Sequence, residues 1–341
     1  MGVIVLKKIS VIGSGGWGCA LADLLAKKGF EITLWSWKKE ESDLIKKALS
    51  NETCLPGINL SDKIHFTYKP EDTQNSDIFV FAVPSHAVLN TATMFSKYAN
   101  GKILVNVSKG FEHTSNKRLS EIIKECCPDS SIVVLSGPSH AEEVARGIPT
   151  TIVSASESRE AAELVQDIFM TNYFRVYTQN DVIGVETGGA LKNVIALCAG
   201  ISDGLGLGDN TKAALMTRGL AEISRLGVKM GANPQTFAGL SGIGDLIVTC
   251  TSMHSRNRRA GILIGQGKSP KEAQKEVHMV VEGVFAAECA YALSKKYNVS
   301  MPITETAYRI LFENMSPRDA VLSLMTRDKK SERGVNETEW I

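Results

Sequence analysis

The chain has 341 residues, of which 43% are hydrophobic and 22% are charged, and its formal net charge is +1. This length favours two domains, and this composition is that of an ordinary soluble globular protein. A net charge so close to zero excludes a global electrostatic field that recruits nucleic acid or an anionic membrane, so any anion must bind at a local site.

The cysteines and the N-terminus bear on the cellular compartment. Seven cysteines are present, an odd number, and none are spaced as C-x-x-C. This pattern indicates a reducing environment and predicts neither structural zinc nor another metal site. Residues 1–12 run directly into a glycine turn without the features of a signal peptide, and no uninterrupted apolar run approaches the ~18 residues of a membrane helix. We therefore expect a cytoplasmic protein without membrane insertion.

Short β-branched runs alternate with helical patterns through the first half of the chain. Strands are predicted at residues 9–12, 31–35, 77–83, 102–107, 131–135, 150–153 and 174–177, and helices at 19–28, 86–98, 116–126 and 159–169. Apolar strands separated by helices are typical of a doubly wound parallel sheet that is covered on both faces. We therefore predict an α/β, Rossmann-type dinucleotide-binding domain over residues 1–185.

The second half of the chain has a different pattern. After Asp181 the β-branched runs stop, and helical segments punctuated by glycine follow. Helices are predicted at residues 186–197, 212–226, 258–263, 269–275, 284–297 and 302–312. These segments indicate an all-α substrate domain over residues 186–330. The charged and polar residues 331–341 are expected to form a frayed tail.

A glycine motif follows the first predicted strand. Gly13, Gly15 and Gly18 form G-x-G-x-x-G at the start of the first predicted helix. The first glycine permits a tight turn, the second lets a pyrophosphate approach the backbone, and the third lets the helix pack closely on the strand. Such a turn can also be a simple strand–helix connection. Its place inside a β-α-β unit favours a dinucleotide-binding turn.

The segment after the second predicted strand bears on the choice of cofactor. NAD-binding domains place an acidic residue about 20 residues after the glycines, where it holds the ribose hydroxyls. Here residues 34–39 contain no Asp or Glu, and Lys38 and Lys39 would attract a 2′-phosphate. The alternative is that both lysines are solvated loop residues. The sequence thus favours NADPH and leaves NADH open.

Three cationic positions lie where a reductase could place a proton donor or an anion clamp. Lys109 follows a predicted strand, and ligands of open α/β sheets bind at the carboxyl ends of strands. Lys192 lies in an apolar, small-residue helix start, where desolvation would lower its pKa. Arg256 belongs to the basic run 256–259, which is too short and too poor in aromatic neighbours for a nucleic-acid surface and favours a phosphate site. Each could instead be a solvated surface residue.

These segments resemble NAD(P)-dependent glycerol-3-phosphate dehydrogenases of the bacterial biosynthetic type. The resemblance extends from about Ile9 to Arg327 and rests on residues 13–18, 108–110, 136–144, 188–193, 242–246, 255–257 and 280–283, in that order. It implies reduction of dihydroxyacetone phosphate to sn-glycerol 3-phosphate with NADPH or NADH, which supplies phospholipid synthesis. It also implies a homodimer.

The resemblance assigns roles to individual residues. It implies that Lys192 is the general acid/base, donating a proton as hydride reaches the ketone carbon. Further substrate-binding residues are expected to be Lys109, Gly137, Ser139, Asp245, Ser255, Arg256 and Asn257. Cofactor-binding residues are expected to be Gly13, Gly15, Gly16, Trp17, Gly18, Trp37, Lys38, Lys109, Ala141, Arg256, Val280 and Glu282. From the sequence alone, without the family resemblance, Asp245 lies in a glycine turn, where an aspartate commonly serves only to form the turn.

Two other functions stay open on the sequence. A two-domain reductase of the 3-hydroxyacid or 6-phosphogluconate dehydrogenase type would share both domains and the lysine–asparagine pair. The Ser-Lys-Gly turn at Lys109, together with residues 255–257, favours the first family. A catalytically inactive nucleotide sensor would be expected to lack the lysine or the anion site, and both are present.

Overall fold

The computed structural model describes residues 7–329 and 332 of the chain. Within these residues the strands all precede residue 180, and the elements that follow are helical. The strands are β1 (Lys8–Ile12), β2 (Glu31–Trp35), β3 (His65–Thr67), β4 (Ile78–Phe81), β5 (Ile103–Asn106), β6 (Ser131–Ser136), β7 (Thr150–Ala155) and β8 (Phe174–Gln179). The predicted class, a Rossmann-type α/β region followed by an all-α region, is confirmed.

The helices fall into two groups. Those interleaved with the strands are α1 (Gly16–Lys27), α2 (Lys39–Ala48), α3 (Val88–Ala99), α4 (Leu119–Cys126), α5 (Ala141–Ala145) and α6 (Arg159–Phe169). Those that follow are α7 (Val182–Gly204), α8 (Asp209–Lys229), α9 (Asp245–Thr251), α10 (Arg256–Gly265), α11 (Pro270–Val277), α12 (Glu282–Lys296), α13 (Pro302–Phe312) and α14 (Pro317–Met325). The sequence predicts β2, α6 and α13 with these bounds and misses α2, β3, α5, α9 and α14.

The strands form one sheet in the order β3-β2-β1-β4-β5-β6-β7-β8. All neighbouring pairs among the described strands are parallel except β6 and β7. This pair therefore departs from the predicted parallel sheet, whereas the other pairs agree with it. Because β7 starts at the edge where β6 ends, the connecting residues 137–149 lie over the carboxyl ends of the strands, where a ligand of such a sheet binds.

Helix α7 forms the centre of the helical region. Asp181 caps its N-terminus by accepting a hydrogen bond from the Gly184 amide, 2.9 Å away. The predicted helix start near Lys192 is therefore wrong, since this lysine lies in the middle of a 23-residue helix. Among the described residues, α7 is the one helix long and apolar enough to cross a membrane by length and composition, and 83% of its apolar window is buried within the protein.

Glycines set the close packing of α7 against α10. A Cβ atom added to Gly261 would overlap the Leu197 carbonyl oxygen and would lie 2.9 Å from the Gly200 Cα. One added to Gly200 would overlap the Arg258 carbonyl oxygen. Only residues without side chains allow two backbones to approach in this way. The result is that the start of α10, with Arg256, is held firmly against the helix that carries Lys192.

Candidate functional site

The glycine turn between β1 and α1 requires glycine for steric reasons. Gly13 has a φ of +117°, and a Cβ atom added to it would lie 2.6 Å from the Ala82 carbonyl oxygen. A Cβ atom on Gly18 would overlap the Gly13 carbonyl oxygen, so helix and strand could not approach. Gly15, in contrast, has no atom within 4 Å of an added Cβ. The open side of the turn is therefore at Gly15, the position expected to meet a pyrophosphate.

The surroundings of this turn suit an anion. Helix α1 begins at Gly16 and has no acidic residue in its first turn, so no side chain of the helix itself neutralises its free backbone N–H groups or the positive end of its dipole. A Cβ atom added to Gly16 would lie 2.5 Å from the Cys54 carbonyl oxygen and 3.8 Å from the Ala141 Cβ, so both residues lie next to the turn. The indole of Trp17 packs against Phe174, with ring centroids 6.5 Å apart. We expect Trp17 to meet a dinucleotide through its backbone.

The end of β2 lies directly beside the glycine turn, because the Gly13 amide donates to the Trp35 carbonyl oxygen at 3.0 Å. Trp37 is 64% exposed, and Lys38 is the N-cap residue of α2. A carboxylate that the sequence analysis misses also lies here: Glu41 accepts a hydrogen bond of 2.7 Å from the Ser14 hydroxyl in the turn. The position of Glu41 in the sequence does not indicate this contact, because it arises only when α2 folds and places Glu41 beside Ser14.

Three charged side chains meet at the carboxyl edge of the sheet. The Lys109 Nζ atom donates to Asp245 Oδ2 at 2.8 Å, and the Lys192 Nζ atom donates to Asp245 Oδ1. Asp245 and Lys192 are both buried, whereas the Lys109 side chain is 20% exposed. Residues far apart in sequence, from the segment after β5, from α7 and from the start of α9, thus form one buried ionic cluster.

The local backbone explains how Asp245 reaches the cluster. A π-helical turn at Leu240–Gly244 runs directly into α9, of which Asp245 is the first residue. A Cβ atom on Gly188 would lie 2.5 Å from the Ser241 carbonyl oxygen, so this glycine lets the π-helical turn rest on α7. The interpretation of Asp245 as a turn former in a glycine turn is therefore wrong. π-Helical turns are rare and occur frequently at functional sites.

Burial and charge together set the protonation of the cluster. Burial lowers the pKa of Lys192 to about 7; the Asp245 carboxylate opposes this shift and Lys109 adds to it. Burial would raise the pKa of Asp245, but Lys109 and Lys192 outweigh it and hold that pKa below its usual value. At neutral pH the carboxylate is ionised, and Lys192 is poised between its two forms.

Thr249 completes the surroundings of Lys192 and is also missed by the sequence analysis. Its hydroxyl accepts a hydrogen bond of 2.8 Å from Lys192 Nζ and donates one of 2.6 Å to the Asp245 carbonyl oxygen. The signal would have been the four-residue spacing from Asp245, which places both side chains on one face of a helix. That spacing has meaning only once α9 is recognised as a helix.

The turn after β6 supplies a neutral wall of the site. The Gly137 carbonyl oxygen accepts hydrogen bonds from Lys109 Nζ and Ser139 Oγ, each at 2.9 Å. Gly137 has a φ of +149°, and a Cβ atom on it would lie 2.9 Å from the Ile152 Cα. The Ser136 hydroxyl and the His140 Nε2 atom are buried without a hydrogen-bond partner among the described residues. Polar atoms in this condition fit a site that binds a polar ligand.

The basic run 256–259 lies at the N-terminus of α10. Ser255 caps the helix by accepting from the Arg258 amide at 3.2 Å. Arg256 is the first residue of this helix and lies near Cys54, whose carbonyl oxygen contacts the glycine turn. Burial and Glu41 raise the pKa of the Cys54 thiol, and the positive charge of Arg256 opposes that increase. Arg258 pairs instead with Asp203 at 2.8 Å. The predicted anion site therefore does not use the whole run, since Arg258 has a structural partner.

The remaining predicted residues connect the elements around the site. The Asn257 side chain donates to Asn193 Oδ1 and accepts from the Gly283 amide, both at 2.8 Å. Glu282, the first residue of α12, accepts hydrogen bonds from the Ser85 amide and hydroxyl at 3.2 and 2.6 Å. Val280 is partly buried just before it. Ser85 follows β4, so Glu282 links the helical region to the same carboxyl edge of the sheet.

The predicted site residues of the sheet domain thus follow the carboxyl ends of β2, β1, β5 and β6, and Glu282 reaches the end of β4 through Ser85. Trp37 and Lys38 lie at one end of this row, and the Lys109 cluster lies three strands away. An extended dinucleotide along this edge would have its adenosine end near Trp37 and its reactive end near Lys192.

Comparison with known proteins gives consistent matches over nearly the whole chain. Residues 8–162 match the family model for the NAD-dependent glycerol-3-phosphate dehydrogenase N-terminus, and residues 181–322 match that for the C-terminus. A glycerol-3-phosphate dehydrogenase (NAD(P)+) of Desulfitobacterium hafniense is 55% identical over 328 residues, which cover 96% of this chain and 93% of the relative. The enzyme of that name from Fusobacterium nucleatum is 55% identical over 331 residues, covering 96% and 99%. The crystal structure of a Coxiella burnetii glycerol-3-phosphate dehydrogenase is similar, with a TM-score of 0.91 at 35% identity, covering 94% of this chain and 99% of that chain.

Proposed function

The chain belongs to the NAD-dependent glycerol-3-phosphate dehydrogenase family, and we propose that it uses Lys192 as the proton donor of the family reaction. That reaction is the reduction of dihydroxyacetone phosphate to sn-glycerol 3-phosphate with NAD(P)H. The observation that carries the proposal is the buried cluster in which Lys109 and Lys192 share the Asp245 carboxylate.

Lys192 has the properties that a general acid needs. An efficient acid has a pKa near the working pH, and burial brings that of Lys192 to about 7. Asp245 and Thr249 accept hydrogen bonds from its Nζ atom and fix the direction of the remaining N–H bond. A bound nicotinamide supplies the hydride, and Lys192 Nζ gives a proton to the carbonyl oxygen of the substrate. Because Asp245 remains ionised, it would balance the charge of Lys109 throughout.

The substrate phosphate needs a fixed positive charge, and we assign this role to Arg256. It stands at the start of α10, where the backbone N–H groups and the helix dipole add to the charge of its guanidinium. Ser255 and Asn257 hold this helix end in place on either side of Arg256. Lys109, Gly137 and Ser139 would line the opposite wall, against the hydroxyl and carbonyl oxygens of the substrate.

The cofactor is a nicotinamide dinucleotide, and we propose a preference for NADPH. Support comes from Lys38, which would attract a 2′-phosphate at the end of β2. The carboxylate of Glu41 acts against this preference, because it lies beside Ser14 in the glycine turn. The remaining expected contacts at Gly13, Gly16, Ala141, Val280 and Glu282 do not depend on which cofactor binds.

Domain limits and assembly belong to the same proposal. We propose a dinucleotide-binding domain of residues 1–185 and a substrate domain of residues 186–330, although the first turn of α7 precedes that boundary. The predicted tail 331–341 lies outside the described residues except for Glu332.

We further propose a cytoplasmic homodimer that supplies phospholipid synthesis. Sedimentation velocity of the purified chain would test the dimer, and a monomer at micromolar concentration would contradict it.

The experiment that tests the activity follows oxidation of NADPH and of NADH with dihydroxyacetone phosphate. Turnover with at least one cofactor, with sn-glycerol 3-phosphate as product, is expected. Parallel assays in the oxidative direction with 3-hydroxyisobutyrate and 6-phosphogluconate address the alternative reductase families. Turnover of those compounds without turnover of dihydroxyacetone phosphate would contradict the proposal, as would cofactor binding without any turnover.

A further inference from the structure

A second buried carboxylate, that of Glu186, connects the two regions of the chain. It lies on α7, is 6% exposed, and accepts hydrogen bonds from Arg118 Nη1 at 3.0 Å and from the Ser120 amide at 2.9 Å. The Ser120 hydroxyl donates to it as well. Glu186 therefore ties the first part of α7 to the start of α4 in the sheet domain.

The fourth hydrogen-bond donor to Glu186, from Asn106, connects it to the site. Asn106 Nδ2 donates to the Glu186 carboxylate at 3.3 Å and to the Ser108 carbonyl oxygen at 3.2 Å. The Ser108 amide donates back to Asn106 Oδ1 at 3.1 Å. Asn106 thus fixes both backbone groups of the residue that precedes Lys109. The position of the Lys109 turn consequently depends on a side chain that Glu186 holds.

Glu186 also shares its helix with the proton donor. Lys192 lies six residues further along α7, or about 9 Å along the helix axis. One carboxylate therefore holds both the helix that bears Lys192 and the turn that bears Lys109. Those are the two lysines that must reach opposite oxygens of Asp245.

We propose that Glu186 is a positioning residue for the reduction, which sets the Lys109 turn relative to Lys192; this rests on the proposed role of Lys192. Small displacements of catalytic groups by distant mutations cost up to ~100-fold in rate. The competing explanation is that Glu186 only joins the two domains, in which case its loss would lower stability and leave the rate of folded enzyme unchanged.

Glu222 provides a matched control. It is likewise a buried carboxylate, 2% exposed, and it accepts hydrogen bonds from the Ile303 amide at 2.7 Å and from the Thr304 amide and hydroxyl, each at 3.1 Å. Burial raises the pKa of both glutamates. The hydrogen bonds of Glu222 stay within the helical region, away from Lys192.

The experiment compares Glu186→Gln with Glu222→Gln in the full chain, using thermal unfolding and kcat for dihydroxyacetone phosphate. Both variants should have a lower Tm. Only Glu186→Gln should lower kcat, by ~10- to 100-fold, with a smaller change in KM. It should also move the basic limb of the kcat–pH profile to higher pH, because a displaced Lys109 no longer lowers the pKa of Lys192. Burial and the Asp245 carboxylate then set that pKa, and the other titratable group facing Lys192 is the His140 ring, whose own pKa Lys192 helps to lower.

A wild-type kcat and pH profile for folded Glu186→Gln would overturn the proposal. If that variant does not fold, the same measurements on Asn106→Ala test the proposal. This substitution removes the hydrogen bonds between Asn106 and Ser108 and leaves Glu186 paired with Arg118. The same upward shift of the basic limb would support the proposal, and an unchanged profile would overturn it. Failure of the wild-type chain to reduce dihydroxyacetone phosphate would instead contradict the proposed function.

Discussion

Lys109 and Lys192 donate to opposite oxygens of a single buried carboxylate, so neither ammonium group has Asp245 to itself. When Lys192 is protonated, two cations beside one anion leave a net positive charge in the site that we propose receives the phosphorylated ketone. The arrangement also separates the two lysines in function. Lys192 is buried and has a pKa of about 7, whereas Lys109 remains partly exposed at the edge of the sheet.

Replacing Lys192 by alanine removes the proposed proton donor. We expect kcat for dihydroxyacetone phosphate to fall at least ~100-fold, the scale of a positioned acid, with a smaller effect on KM. The matched control is Lys124→Ala, since Lys124 donates to the Ser130 carbonyl oxygen in the sheet domain, away from the cluster. A kcat for Lys192→Ala close to that of the control would show that another group donates the proton.

The pH dependence of the wild-type enzyme follows from the same lysine. In the proposed mechanism the reduction requires protonated Lys192, so its kcat should be constant at low pH and should fall as the pH rises through about 7. The reverse oxidation requires the neutral amine, so its kcat should rise through the same range. Initial rates in both directions from about pH 5 to about pH 9, two units either side of neutrality, would check this. Parallel rather than opposite trends would contradict the assignment.

Asp245→Asn should affect both the acid and the stability of the fold. Without the carboxylate, Lys192 loses the charge that raises its pKa, so the basic limb of kcat should move to lower pH. Removal of one partner of a buried ion pair costs about 3–5 kcal/mol in the free energy of unfolding. Chemical denaturation measures the second effect. A basic limb that stays in place or moves upward would show that Asp245 does not control Lys192.

The sequence predicts a site residue when its role depends only on residues close to it in the chain. The glycine spacing at residues 13–18 predicts the dinucleotide turn because each glycine acts within one β-α connection. Lys109 and Lys192 are recognisable because a lysine at a strand end or in an apolar segment is unusual. The same logic predicts the two-domain fold, since the change from β-branched runs to glycine-punctuated helices is itself local.

Residues whose roles arise from packing are not predictable in this way. Asp245 follows two glycines in sequence and resembles a turn former; only the contact of Gly188 with Ser241 shows that a π-helical turn rests on α7. Glu41 reaches the glycine turn only through α2, a helix with just Ser42 and Ile45 buried and therefore a weak apolar pattern. The antiparallel pairing of β6 and β7 likewise depends on sheet assembly rather than on strand composition.

Arg256→Ala should weaken substrate binding. We expect KM for dihydroxyacetone phosphate to rise ~10-fold or more, with a smaller change in kcat, because a charge-assisted contact to phosphate is lost. Arg258→Ala is the informative comparison. Arg258 pairs with Asp203 and with the Thr251 carbonyl oxygen, so its loss should lower Tm and leave KM nearly unchanged. The reverse pattern would place the phosphate at Arg258 instead.

The choice of cofactor can be tested at the end of β2 with a pair of opposite charge changes. Lys38→Glu should reduce kcat/KM for NADPH by ~10-fold and leave that for NADH nearly unchanged, since only NADPH carries the 2′-phosphate. Glu41→Gln keeps a hydrogen-bond acceptor for Ser14 but removes the negative charge beside the turn, so it should favour NADPH. Measuring both cofactors at low and high ionic strength separates a local contact from general attraction, because exposed charges are screened by salt. An unchanged NADPH/NADH ratio in both variants would mean that the adenosine end of the cofactor does not lie beside Lys38.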